Sequence, residues 1–228
     1  MKILALETSA KAVSAALTED GKVLASGYQD TGLTHSRTLM PIVEHLFQNP
    51  GMDVADIDAV AVANGPGSFT GIRIGVSAAK GLAFAVEKPV IGVSTLAALA
   101  RNLSCCDGLV IGAMDARRKQ IYNALFDVKN GVLTRLTPDR GISLEDLAAE
   151  IKEDPRPKWI VGDGGVLCYD ALTAAGIACR LAPPHLRMQN AMSVALEAES
   201  MGEAAFLTAQ ELQSVYLRPP QAERLRKK

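Results

Sequence analysis

Aromatic side chains are scarce in this chain: Phe, Trp and Tyr make up 4% of its 228 residues, with a single Trp. The apolar fraction is nonetheless 48%, so the core must be built from Ala, Val, Leu and Ile, which suit stacked α/β layers. Cysteine is also thin. Of four cysteines, Cys105 and Cys106 are adjacent, Cys168 and Cys179 stand alone, and no Cys-x-x-Cys spacing occurs. That excludes a zinc ribbon, and free thiols in a reducing compartment are expected. An excess of one charge is missing too. The formal net charge is −1, which provides no global field for nucleic acid, so any RNA contact must be local or shared with a partner. No apolar run approaches the ~20 residues of a membrane span, and Met1–Glu7 lacks the apolar length of a signal peptide. A cytoplasmic protein with no membrane contact is expected, large enough for one or two compact domains.

Histidine is limited to three residues. His35 and His45 are ten apart on one helix, roughly 80° out of alignment, so the i, i+4 pair that chelates zinc is absent. His185 follows Pro183-Pro184 without an acidic or cysteine neighbour. All three are expected at the surface. The Gly-x-Ser-x-Gly nucleophile elbow is missing as well, since Gly67-Ser68-Phe69 continues as Thr70-Gly71. Nothing in the pattern supports a metal or serine hydrolase.

The most informative stretch is Asn64 to Gly75, N-G-P-G-S-F-T-G-I-R-I-G. It follows an apolar run, Ile57 to Ala63, that reads as a buried strand, and it leads into a segment of helix composition ending near Ala85. Ser68 or Thr70 can cap the helix. A strand–glycine loop–helix junction can cradle phosphate, but the spacing matches neither common version. Gly71-Ile72-Arg73 stands where a Walker loop needs Gly-Lys-Ser/Thr, and Gly65, Gly67 and Gly71 give GxGxxxG, not GxGxxG. Inside the helix, Gly71 and Gly75 each cost roughly 1 kcal/mol relative to Ala. Close approach of another backbone would offset that. It could come from the domain's own sheet or from a second chain. With Ile72, Val76 and Ala79 the two glycines form one candidate docking row.

In chain order, Ile3–Thr8, Val13–Thr18 and Lys22–Gly27 read as a three-stranded meander, with Glu19-Asp20-Gly21 as a hairpin turn. Thr34–Phe47 is a helix with two apolar stripes, Leu39/Ile42/Leu46 and Met40/Val43/Phe47. The second stripe offers Met40, Val43 and Phe47 to a partner, and Pro41 should kink the helix. Asn49-Pro50-Gly51 ends it. After the central strand and its helix come a strand at Pro89–Val93 and a helix, Thr95–Asn102, capped by Ser94. The order then repeats: strands Leu109–Asp115, Gln120–Val128 and Val132–Leu136, a helix from Ser143 to Lys152, a strand Lys158–Val161 and a helix Val166–Ala175. A strand Ile177–Leu181 and a last helix, Asn190–Ser200, follow.

This duplicated βββαβα order is the architecture of the actin-like ATPase superfamily: an α/β protein of two ribonuclease-H-like lobes, the second smaller, divided at residues 1–105 and 106–228. A working ATPase of this fold presents glycine-rich phosphate loops from the first hairpin of each lobe. Here those positions read Glu7-Thr8-Ser9-Ala10-Lys11 and Asp115-Ala116-Arg117-Arg118-Lys119, without glycine. Asp115 is the one weak candidate for holding Mg²⁺. Two basic clusters remain, Arg117-Arg118-Lys119 and a tail carrying Arg218, Arg224, Arg226, Lys227 and Lys228; the tail reads as a solvated end unless a partner binds RNA.

Several of these segments resemble one family. Gly65-Pro66-Gly67-Ser68-Phe69-Thr70-Gly71-Ile72-Arg73-Ile74-Gly75 is similar to the signature segment of the bacterial TsaB (YeaZ) proteins. Similar too are Ile3–Ser9, His35-Ser36-Arg37, Gly92–Leu96, Met114–Arg117 and Tyr216–Pro220. The sister family TsaD shares much of the signature but carries a histidine pair for a metal, which this chain lacks. The resemblance implies a non-catalytic scaffold subunit that partners TsaD and the small ATPase TsaE. Their complex adds a threonylcarbamoyl group to N6 of the tRNA adenosine next to the anticodon. It implies no cofactor for this chain alone, with ATP and Mg²⁺ possible for the complex, tRNA contact only through the complex, and a possible homodimer in isolation. The family's dimer contact corresponds here to the helices Thr34–Phe47 and Phe69–Val86, where the apolar stripe and the glycine row lie. An autonomous actin-like ATPase or kinase acting on a small molecule is the alternative expectation.

Overall fold

The computed structural model describes residues 1–48, 51–117 and 119–218. The basic tail beyond Arg218, Asn49-Pro50 and Arg118 therefore lie outside the described residues. The first half contributes β1 (Lys2–Glu7), β2 (Val13–Glu19), β3 (Lys22–Gln29), α1 (His35–Gln48), β4 (Ala59–Gly65), α2 (Phe69–Ala85), β5 (Val90–Ser94) and α3 (Thr95–Arg101). Its five strands lie in the order β3-β2-β1-β4-β5. β1 runs antiparallel to β2 and parallel to β4. Asp20 and Gly21 both take positive φ in the β2–β3 turn, as a tight hairpin requires.

The second half gives β6 (Gly108–Asp115), β7 (Gln120–Lys129), β8 (Val132–Arg135), β9 (Arg140–Ser143), α4 (Leu144–Ile151), β10 (Lys158–Val161), α5 (Gly165–Ala174), β11 (Arg180–Leu181), α6 (Pro184–Arg187) and α7 (Ala191–Met201). The sheet order is β11-β10-β6-β7-β8, with β9 also paired to β7. Both halves are thus ribonuclease-H-like lobes of mixed sheet, three antiparallel strands followed by parallel ones reached through helices. β9 was not expected from the sequence; it is four residues long with Gly141 at its second position, too short for alternation to register. The strand expected from Ile177 shrinks to Arg180–Leu181, the residues of that stretch in register with Trp159 and Ile160 of β10.

Strand alternation sends β1 side chains to two different cores. Leu4 and Leu6 join Leu39, Ile42, Val43 and Leu46 of α1 and Ile72, Val76 and Ala79 of α2. Ile3 and Ala5 face the other way, with Ala16, Ala59, Ala61 and Ala63, onto Ala191, Val194, Ala195 and Ala198 of α7. The alanine-rich face lets α7 seat close to the sheet. Ser14 Oγ accepts from Ala191 N at 2.9 Å, and Arg101 of α3 pairs with Glu197 of α7 at 2.6 Å. The last helix therefore belongs to the core of the first lobe, and the boundary expected at residues 105/106 does not hold for the C-terminal part. α3 lies between the lobes: Leu96, Leu99 and Leu103 pack with Val110, Met114 and Phe126 of the second sheet.

After α7 the chain returns along the first lobe as a strap. Leu207 makes an isolated bridge to Val90, Leu212 is fully buried in the α1/α2 core, and Val215 N donates to Asn64 O at 2.7 Å. At its end Arg218 Nη1 donates to Ala116 O of the second lobe at 2.8 Å.

Candidate functional site

Between the lobes lies a cleft of about 480 Å³, whose lining includes Ser9, Lys11, Ser68, Phe69, Asp115, Arg117, Tyr122, Asp163, Tyr216 and Arg218. Parallel strands build it: β1 and β4 of the first lobe and β6 and β10 of the second all end here, where ligands of open α/β sheets usually bind. The first-lobe wall is tightly made. Ser68 caps α2, its Oγ accepting from Gly71 N at 3.3 Å, and Ser68 N donates to Ser9 O at 2.7 Å. His35 Nε2 donates to Ala10 O at 2.8 Å. His35 was expected merely at the surface, but it is half-buried and braces the Thr8–Lys11 loop. Spacing alone gives no signal for that contact.

At the foot of this wall is a buried carboxyl. Glu7 is 0% exposed, and burial raises its pKa to about 7, opposed by the bond from Ser9 N to Oε1 and reinforced by Asp163. Among the described residues Glu7 Oε2 and the buried Ser9 Oγ find no partner of hydrogen-bond geometry. Across the cleft, desolvation also raises the pKa of Asp163, against the donation from Gln189 Nε2 at 2.8 Å. Asp115 is taken up by its own loop: Arg117 N donates to Oδ1 at 2.7 Å and Arg117 Nη1 to Oδ2 at 3.3 Å.

A magnesium–nucleotide is a poor match for these residues. The loop at Thr8–Lys11 carries side chains where phosphates need bare backbone, and Asp115 is already spent on Arg117. The strap occupies the rim: Tyr216 lies 4.8 Å from the Phe69 ring, Arg73 stacks over Phe69 at 3.8 Å and bonds the Tyr216 hydroxyl, and Arg218 reaches the far side. Among the described residues no group of three His, Cys, Asp or Glu could hold a metal ion.

The docking row expected on α2 turns out to face inward. A side chain on Gly75 would run into Thr8 Oγ1 and lie 3.3 Å from Val62 Cγ2, and one on Gly71 would meet the Thr8 carbonyl. The close neighbour that the glycines accommodate is the chain's own β1 end. Ile72, Val76 and Ala79 join the same core, as does Val43 of α1, 2% exposed. These six residues are therefore corrected from a partner surface to core packing. The reason is that a small-residue row announces a close neighbour without saying whose it is. Of the eight positions only Met40, 43% exposed, faces solvent; Phe47 is half-buried against the core. The sequence reading missed Phe84, 72% exposed on the last turn of α2, whose spacing in the helix does not distinguish it from core residues.

A model of the family described as TsaD, tRNA N6-adenosine threonylcarbamoyltransferase, matches residues 29–208. The Bacillus subtilis protein called tRNA threonylcarbamoyladenosine biosynthesis protein TsaB is 40% identical over 162 residues, 71% of this chain and 71% of that protein. Its Escherichia coli namesake is 33% identical over 183 residues, 79% of each. Among solved structures, YeaZ from Pseudomonas aeruginosa superposes with a TM-score of 0.79 at 30% identity, covering 95% of this chain and 99% of that one.

Proposed function

The chain belongs to the TsaB family of tRNA threonylcarbamoyladenosine biosynthesis proteins, and from that premise we propose that it acts as a scaffold for a TsaD-type subunit and does no chemistry itself. The reaction served is addition of a threonylcarbamoyl group to N6 of the tRNA adenosine next to the anticodon. TsaE is the third component, tRNA is met only within the assembly, and any ATP with Mg²⁺ is bound there and not by this chain alone. A homodimer through the same face is the state of the isolated protein.

One observation carries the reading: the first-lobe helices expose large apolar side chains, Met40 on α1 and Phe84 on α2, on a lobe whose core is otherwise closed. Since the family model matched is that of TsaD itself, the partner has the same lobe and can present the same pair of helices. Like surfaces related by a pseudo-twofold axis are self-complementary, which is the usual geometry of a two-chain contact. Met40 on α1 would be a buried anchor of that contact, and Phe84, beside the strap residues Phe206 and Leu207 at the end of α2, an anchor at its edge.

Co-expression with TsaD tests this. Met40→Asp and Phe84→Asp each place a charge in the contact without touching the core. Each is expected to cut co-purified TsaD at least tenfold and to leave the isolated chain a folded monomer by size-exclusion chromatography and circular dichroism. Normal recovery of TsaD with both variants would remove this face as the interface.

A further inference from the structure

β3 is the outermost strand of the first sheet and pairs only with β2. Among the described residues no backbone bond links residues 22–29 to any other part of the chain. Edge strands of this kind are normally blunted by proline or by charges spread along them. β3 has neither: after Lys22 it reads Val23-Leu24-Ala25-Ser26-Gly27-Tyr28-Gln29, seven residues without a charge or a proline, and the register shift at Leu24 leaves Ala25–Gln29 as its regular edge.

A hollow lies on each face of this edge at one level. On the α7 face a pocket of about 340 Å³ is lined by Ala15, Ser26, Tyr28, His185, Met188 and Met192, with other small residues. On the α1 face a hollow of about 380 Å³ is lined by Gly27, Gln29, Arg37, Pro41, His45 and neighbouring residues. The direction of the strand is fixed by Gly27, whose missing side chain would point at Ile42 Cγ2 of α1, 2.5 Å away. Ser26 and Tyr28 consequently face the opposite side. The two hollows differ in chemistry. The α7 side is predominantly apolar, with two methionines and a tyrosine ring. The α1 side carries the Arg37 guanidinium, which makes no ion pair among the described residues, and His45. Among the described residues no carboxylate lines either hollow; Asp30 lies just past the strand and acts on Tyr28, and Glu44 lies two turns after Arg37 on α1.

We propose that β3 is a binding edge for an extended peptide of another protein, which adds as a sixth strand and alternates apolar and acidic residues. Successive side chains of an added strand point to opposite faces, so one would enter the methionine-lined pocket and the next would reach Arg37. Main-chain bonds to the free edge hold the segment, and the alternate pockets select its sequence. Met40 and Phe84 line neither hollow, although Arg37 lies one turn before Met40 on α1, so TsaD recovery is measured for the Arg37 variant as well.

The probe is an acetylated, amidated hexapeptide, alternating Leu and Glu, titrated into the full chain by calorimetry, with amide hydrogen exchange followed over residues 22–29. Saturable binding is expected, with slowed exchange along β3. Arg37→Glu, an exposed substitution, should weaken it at least tenfold, and so should a Leu/Lys hexapeptide. N-methylating alternate residues of the probe should abolish binding in one of the two registers, because it removes the main-chain donors. Absence of binding at millimolar peptide would overturn the proposal. So would affinity indifferent to N-methylation, which would mean groove filling without a ladder. Protection of β3 that grows with protein concentration and not with peptide would overturn it in favour of edge pairing between two copies.

Discussion

Glu7 is a carboxyl with no exposed surface and no cation beside it. Its pKa rises from 4.5 to about 7 because burial penalises the charged form. The folded protein therefore holds a proton that the unfolded chain releases. Stability is highest below the unfolded value, falls as pH climbs from about 4.5 to about 7, and flattens above that, for a total loss on the order of 3 kcal/mol. Glu7→Gln keeps an acceptor for Ser9 N and cannot ionise, so urea unfolding at pH 5 and pH 8 should show a smaller difference for the variant than for the parent chain. Equal differences would mean that Glu7 titrates normally in the fold. Gly75 presents a steric case beside it. Because Thr8 and Val62 fill the space where a side chain would go, Gly75→Leu is expected to destabilise the isolated chain by about 3 kcal/mol or more. A melting temperature within a degree or two of the parent would show that α2 can shift away from β1.

Elements were legible where a single period dominates. β1 to β3 and their Asp20-Gly21 turn follow from runs and a turn signal, and α1 from Leu39, Ile42 and Leu46. What a helix packs against was not legible. Ala191, Val194, Ala195 and Ala198 mark one face of α7, yet nothing in that spacing says the face lies on a sheet made from the first third of the chain. The strap was invisible for a related reason: its anchors are single residues, Leu212 and Tyr216, with no period at all. Its weight can be measured. Leu212→Ala should cost roughly 2–5 kcal/mol, the range for a buried leucine truncated in a closed core. Deleting Gln221 to Lys228 should change stability by less than about 0.5 kcal/mol. Similar urea midpoints for the two variants would show that the strap adds nothing to the fold.

Viewed whole, the molecule has two sheets but not two separable domains. α3 sits between the lobes, α7 crosses back to cover the first sheet, and the strap closes on the first lobe before touching the second. The covering of the first sheet by α7 bears on how the protein is made. The strands of that sheet are complete once Ser94 has been synthesised, but the helix that shields their alanine-rich face begins only at Ala191. At roughly 5–20 residues per second of ribosomal elongation, that face stays bare for on the order of 5–20 s in every newly synthesised copy. The nascent chain thus passes through a stage in which an alanine-rich sheet face, buried in the finished protein, is open to whatever holds unfinished proteins in the cell.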